Sequence, residues 1–459
     1  MKKKTVFICS NCSYESIGYM GKCPECNTWN SLVETVQVDR KVSKNASNTL
    51  GIKKSVKRLF EVESTNSDRI VTNISEFNRV MGGGIVKDSV TILSAKPGAG
   101  KSTLLLQVAN DLAIMGYKVL YASGEESESQ IKSRADRIIK NIHSKVWVVS
   151  DNSMDNIIQT ISDIDADIII VDSIQTFILD AFPNSRAGSP TQTMECAYEL
   201  VQQAKNSNRP RAVFMVGQMT KEDELAGLRA LEHLVDAVLI IEGESGEELR
   251  ALLTTKNRYG STGEMGFFNM TEEGMLSIDN PSEYFMTHRE DNNLVSGSSI
   301  TVVREGTRPI KLEIESLVSD SFTPYPSRIG ECMRREHLNT LISILEQRGG
   351  VKLYDKNVVI KTTGGIKLKE QSSNLAIIMS IASSVFQSPL PNDIVFISDV
   401  GLTGELKKVP SLEARIREVD RMGFSKAYIA PIKGKMIKTN NLELIQKQRL
   451  KDVIADLIK

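Results

Sequence analysis

Ala95-Lys96-Pro97-Gly98-Ala99-Gly100-Lys101-Ser102-Thr103 lies between an apolar segment, 89–94, and a helical pattern, 103–115. It follows the template G-x-x-x-x-G-K-[ST]. In that template the backbone N–H groups of the loop and the N-terminus of the next helix cradle phosphate oxygens. All nine residues are therefore candidates for nucleotide binding. Lys101 would reach the β- and γ-phosphates, and the Ser102 hydroxyl would ligate Mg²⁺. Ala95 stands where the template has its first Gly, so the backbone there must suit a residue with a Cβ.

Outward from this loop, strand and helix patterns alternate. Strands are expected at 89–94, 118–122, 145–149, 168–172 and 212–216, and helices at 103–115, 131–139 and 195–206. Such alternation implies an α/β fold with a mostly parallel sheet covered by helices on both faces. The apolar run Ile168-Ile-Ile-Val-Asp172 ends in an acid, the pattern of a Mg²⁺ anchor downstream of a phosphate loop. Glu125 and Glu126 follow the next strand; a carboxylate there can polarise the water that attacks ATP. Glu125 is the expected base and Glu126 the second choice. Gln218, just past the strand 212–216, is placed to sense the γ-phosphate.

The 459 residues suffice for two to four domains at roughly 100–200 residues each. Lys+Arg and Asp+Glu both number 57, so any nucleic-acid contact must use local patches rather than global charge. Apolar runs such as 168–171 fall far short of the ~20 residues that span a bilayer. After the basic start Met1-Lys-Lys-Lys4, the apolar run 6–8 is too short for a secretory leader. A cytoplasmic protein with no membrane segment is expected. Residues 35–60 are rich in Ser, Asn, Lys and Val and read as a basic flexible linker, either a solvated tether or an arm that touches DNA. The remaining divisions are 1–34, 61–280 and 281–459.

Four of six cysteines fall in the first division, as Cys9-Ser-Asn-Cys12 and Cys23-Pro-Glu-Cys26, ten residues apart. Four thiolates so spaced can surround one Zn²⁺, and in so small a module the metal would supply most of the folding energy. A thioredoxin-like redox pair would need a βαβ pattern around it, and none is present. A closed four-ligand site is structural.

Together these motifs resemble the RadA (Sms) family of bacterial recombination and repair proteins over essentially the whole chain. The resemblance rests on the four-cysteine module, Met81-Gly-Gly-Gly84 and Ser123-Gly-Glu-Glu-Ser127. It rests further on Gln130-Ile-Lys-Ser-Arg-Ala-Asp136, Val171-Asp-Ser-Ile-Gln-Thr176 and Leu231-Glu-His-Leu-Val-Asp236. Lys256-Asn-Arg-Tyr-Gly260 corresponds to the family's K-N-R-F-G, with Tyr259 for Phe. The resemblance implies a RecA-like ATPase core and a C-terminal domain similar to that of Lon protease. It implies ATP hydrolysis stimulated by single-stranded DNA, branch migration of recombination intermediates alongside the RecA recombinase, and hexameric rings on single-stranded and branched DNA. Ala95 for Gly, Lys96 for an acid and Gln218 for His depart from the family pattern. The first two bear on the rate of hydrolysis; Gln218 matches what RecA itself carries.

By the same similarity, loops 178–193, with Arg186, and 219–229, with Lys221 and Arg229, face the DNA channel. Lys256 and Arg258, spaced i, i+2 on an extended segment, point to one side. In a ring that side would face a neighbour's γ-phosphate, with Tyr259 packed behind and Gly260 allowing a sharp turn. In the Lon-like region Ser373 falls at the nucleophile's place, but Glu413 falls where the lysine should be. A carboxylate cannot act as a neutral amine, and a nearby Arg stays protonated. The expectation is a protease-shaped domain without proteolysis, serving oligomerisation and DNA contact through a basic stretch of Lys352, Lys356, Lys361, Lys367 and Lys369. Rival readings are an ATP-dependent Lon-like protease and a nucleotide-binding scaffold without motor activity.

Overall fold

A computed structural model of the chain describes residues 3–9, 15–16, 24, 32–38, 58–61, 69–218, 231–243, 246–287, 294–432, 434 and 437–458. The chain divides into two compact units, Met1–Thr65 and Asn66–Lys459. In the first, Lys3–Cys9 is the central strand of an antiparallel sheet between Glu15–Ser16 and Leu32–Val38. Lys3 lies opposite Val38 and Cys9 opposite Leu32. The last strand thus runs four residues into the stretch expected as linker. Val33, Thr35, Val36 and Val38 are β-branched and have a partner strand, which composition alone does not reveal. Cys12, Cys23 and Cys26 lie outside the described residues.

The second unit is built on a nine-stranded sheet. Its strands are β1 (Val90–Ala95), β2 (Val119–Ser123), β3 (Val146–Ser150), β4 (Ile168–Asp172), β5 (Ala212–Gln218), β6 (Ala237–Glu242), β7 (Leu249–Asn257), β8 (Met265–Thr271) and β9 (Gly274–Ser277). Their order is β9-β8-β7-β6-β1-β5-β4-β2-β3. The strands from β6 to β3 in that order are all parallel, and β7–β9 extend the sheet as an antiparallel meander. Strand β1 is buried at every residue, as a central strand covered on both faces must be.

Two apolar layers sandwich the sheet. On one face α1 (Ser75–Val80), α2 (Lys101–Ile114) and α3 (Glu128–Ile138) pack with Leu93, Tyr121 and Ile170. On the other, α4 (Met154–Ile164) and α5 (Pro190–Ala204) cover Ile92, Leu120, Ile169 and Val213. Helix α3 starts with a capping box between Ser127 and Gln130, so it begins earlier than its apolar periodicity indicates.

Beyond the meander, β10 (Ser298–Glu305), β11 (Arg308–Asp320), β12 (Arg328–Gly330) and β13 (Lys356–Thr362) form a sheet of order β10-β11-β13-β12. A three-stranded parallel sheet follows, of Ile394–Ile397, Lys426–Ile429 and Glu443–Gln446. Helices α6 (Arg335–Gly349) and α7 (Asn374–Phe386) share one core with both. Phe267 of β8 and Phe285 share a core with Leu338, Leu341 and Ile377, so the position of the sequence division at 280 falls inside one compact unit. Among the described residues no helix is long and apolar enough to cross a membrane.

Candidate nucleotide site

The phosphate loop joins β1 to α2. Ala95 is the last residue of β1, fully buried, opposite Gln218 of β5 and Ile241 of β6. It keeps extended strand geometry, so the methyl that replaces the template's glycine hydrogen causes no backbone conflict. Glycine is required further on: Gly98 and Gly100 have φ of +77° and +104°, a region costly for other residues. Lys101 opens α2 and folds back, its Nζ donating to the carbonyls of Ala95 at 2.9 Å and Lys96 at 3.2 Å. Burial pulls the Lys101 ammonium below its ordinary pKa, opposed by the charges of Asp172 and Glu125. The loop opens on a cleft of about 900 Å³ lined by Lys101, Ser102, Thr103, Arg134, Glu248 and Thr271, among others.

Three elements meet at Asp172, the last residue of β4. Ser102 Oγ donates to Asp172 Oδ2 at 2.6 Å, and Tyr121 Oη donates to the same oxygen at 2.5 Å. A hydroxyl beside a carboxylate supplies the hard oxygen donors that Mg²⁺ takes, so these residues fit that ion. Tyr121 is absent from the sequence expectation, because a tyrosine inside a strand reads as core. Burial first, then the charge and hydrogen bond of Asp172, push its phenol well above its ordinary pKa, which keeps it a donor.

The two candidate bases separate here. Glu125 lies at this strand end, where its Oε1 accepts from Ser173 Oγ at 2.5 Å and from Gln218 Nε2 at 3.0 Å. Glu126 turns away into an ion pair with Arg134. Gln218 thus connects the end of β5 to the carboxylate beside the phosphate loop.

A family model described as an AAA domain matches residues 56–224, and one described as a rubredoxin metal binding domain matches residues 7–34, which include Cys9, Cys12, Cys23 and Cys26. The chain is 41% identical over 430 residues to the DNA repair protein RadA of Bacillus subtilis, covering 93% of each chain. The chain belongs to the RadA family. The RadA of Streptococcus pyogenes serotype M3 is 42% identical, covering 93% of this chain and 92% of its own. A solved structure, the KaiC-like protein PH0186 of Pyrococcus horikoshii, aligns over 46% of this chain and 98% of its own at 17% identity, with a TM-score of 0.38.

The RadA motif Lys256–Gly260 lies at the other end of the strands. Asn257 pairs with Ala237 at the start of β6, whereas Ile241, about 13 Å along that strand, pairs with Ala95. Both motif cations lie over the segment 231–236. Lys256 Nζ donates to the Glu232 carbonyl, and Arg258 reaches Asp236 Oδ1 at 3.2 Å. Asp236 is buried and also accepts from Lys205 at 2.9 Å and Val90 N at 3.0 Å. Lys205 in turn bonds Tyr259 Oη at 3.1 Å. Gly260 lies in the bend that follows β7. It allows close approach: a Cβ there would meet Gly82 Cα at 3.1 Å, which ties this motif to Met81–Gly84.

Of the two loops expected at DNA, 219–229, with Lys221 and Arg229, lies outside the described residues. In 178–193, Arg186 is exposed, and buried Gln192 fastens the segment through Leu179 N at 2.8 Å and the Phe182 carbonyl at 3.0 Å.

In the region expected to resemble Lon, Ser373 is fully buried and donates to the Glu370 carbonyl at 2.9 Å. Glu413 does not approach it; it is exposed and pairs with Arg417. The side chain brought in from that turn is Arg415, 2% exposed, bound to Glu370 Oε2 at 2.5 Å and the Val302 carbonyl at 2.6 Å. The apolar face of α8 (Leu412–Arg421) turns Arg415 inward and Glu413 outward. Two of the five lysines of the expected basic stretch are ion-paired, and a third is held by a backbone carbonyl. Lys356 pairs with Asp320, Lys361 with Glu315 at 3.0 Å, and Lys367 donates to the Glu331 carbonyl at 2.9 Å.

Proposed function

We propose that the chain is a DNA-stimulated ATPase that processes recombination intermediates during DNA repair, acting as a ring-shaped motor on single-stranded and branched DNA beside the RecA recombinase. The observation that carries this reading is the Gln218–Glu125 hydrogen bond. It joins the carboxylate beside the phosphate loop to the strand that leads into loop 219–229. Strand movement caused by DNA on that loop would change the hold on Glu125, and with it the rate of hydrolysis.

In this reading residues 95–103 bind the triphosphate, and Ser102 and Asp172 hold Mg²⁺, which when bound neutralises phosphate charge. Lys101 steadies charge on the γ-phosphate. Glu125 takes a proton from water as its oxygen attacks phosphorus and the bond to the ADP oxygen breaks. Lys256 and Arg258 act on the neighbouring subunit's site. Residues 1–34 form a zinc module on the linker 35–60, 61–280 the ATPase, and 281–459 a Lon-like domain that assembles the hexamer without proteolysis. A cytoplasmic location fits this work. Buried Ser373 and the Arg415–Glu370 pair support the absence of proteolysis.

The deciding experiment is steady-state ATP hydrolysis with and without single-stranded DNA. Wild type should be stimulated, and Lys101→Ala should lose turnover by at least about 100-fold. Wild-type kcat in Lys101→Ala would sink the site; turnover indifferent to DNA would favour the scaffold reading. Metal analysis should find one Zn²⁺ per chain, lost in Cys9→Ser or Cys26→Ser, and iron or a Cys–Cys bridge would overturn the zinc assignment.

A further inference from the structure

We propose that Tyr121 is a positioning residue for the metal: its buried phenol orients the Asp172 carboxylate and so sets how much Mg²⁺ the site requires, not how tightly it holds the nucleotide. This rests on the reading of Ser102 and Asp172 as the residues that hold Mg²⁺.

Tyr121 lies in the middle of β2, opposite Ile170 of β4, and Ser123 lies opposite Asp172. Side chains two apart on a strand share a face. Tyr121, Ile170 and Asp172 therefore lie on one face of the sheet, the face that α2 covers with Leu104 and Leu105. The ring is 1% exposed, and its shape is that of a phenylalanine in an apolar layer. Packing does not require its oxygen. A hydroxyl buried there is tolerable only with a hydrogen-bond partner, and that partner is Asp172 Oδ2.

The same oxygen receives the Ser102 hydroxyl. With both donors on Oδ2, the carboxylate cannot rotate about its Cβ–Cγ bond without breaking both hydrogen bonds. Oδ1 would then be the oxygen left to face the ion's side of the site. Of the two donors, Ser102 has a second task, because its oxygen must also face the ion. Tyr121 has none, so it holds Asp172 whether or not the ion is present. Partners of this outer kind typically change metal affinity by about 10–100-fold.

The test is Tyr121→Phe, which removes one oxygen and keeps the ring. Binding of a fluorescent ATP analogue is measured in EDTA and across a Mg²⁺ titration, and the titration is repeated with Mn²⁺ read by electron paramagnetic resonance. Affinity in EDTA should stay within about twofold of wild type, while the metal concentration at half-effect rises about tenfold. An unchanged metal midpoint overturns the proposal, as does an equal loss of nucleotide affinity with and without metal, which would mark a merely structural role. Asp172→Ala separates this from failure of the underlying reading. If it too leaves the metal midpoint unmoved, the magnesium assignment fails; if it moves the midpoint and Tyr121→Phe does not, only the role of Tyr121 fails. Should Tyr121→Phe not fold, trifluorotyrosine at position 121, a stronger donor of similar shape, must shift the same midpoint, and no shift would equally sink the idea.

Discussion

Glu125 and Glu126 are adjacent, identical in charge and indistinguishable by composition, yet the fold gives them different partners. Glu125 is held by Ser173 and Gln218 beside Asp172, and Glu126 is committed to Arg134. Glu125→Gln should retain ATP binding and lose hydrolysis by about 100-fold or more, in line with the usual worth of a positioned general base. Glu126→Gln should stay within a few-fold of wild type. Single-turnover hydrolysis alongside nucleotide binding reads both, and the reverse ranking would reassign the base. Ala95 carries a related lesson. The template asks for glycine, but the residue lies in regular strand, where a methyl group costs nothing, whereas Gly98 and Gly100 adopt conformations no alanine takes easily.

At the scale of elements, the hairpin between β10 and β11 holds an acid in an unfavourable place. Burial raises the pKa of Glu305 from 4.5 to about 7; Glu370 and Glu242 add to the rise and Lys369 opposes it. A carboxyl whose folded pKa exceeds its unfolded value binds its proton more tightly in the folded state. Its contribution to stability is therefore complete below about pH 4.5 and is lost as pH rises through about 7. Glu305→Gln, which is neutral throughout, should raise the melting temperature relative to wild type at pH 8 and make little difference at pH 5. The gain at pH 8 should be on the order of 1–3 kcal/mol, and a mutant equal to wild type at both pH values would refute the burial argument. The segment 231–236 shows the complementary case. Its buried Asp236 gathers Lys205, Arg258 and the backbone of β1, which gives Leu231–Asp236 a physical role that its sequence does not announce.

At the scale of the molecule, the phosphate loop and the Lys256–Gly260 motif occupy opposite ends of the same sheet, so in the proposed ring a motif cation acting on ATP would come from a neighbouring subunit. Arg258→Ala subunits should bind ATP but lose DNA-stimulated hydrolysis, and mixing them with Lys101→Ala subunits should restore part of it. Restoration arises because one mixed interface pairs an intact loop with an intact arginine. Hydrolysis at zero across all mixing ratios, with assembly confirmed by light scattering, would exclude action in trans. Sequence alone determined the alternating α/β core, the phosphate loop and Asp172 at its strand end, because these depend on local spacing and on the period of apolar residues; the family was legible only through the resemblance of its motifs. Tertiary structure decided what depends on approach between distant segments. It set Glu125 against Ser173 and Gln218 and turned Glu126 to Arg134, brought Tyr121 to Asp172, set Gly260 against Gly82, and placed Arg415 rather than Glu413 inside. In each case an ordinary-looking residue acquires its role from a partner tens to hundreds of positions away, and spacing along the chain carries no record of that partner.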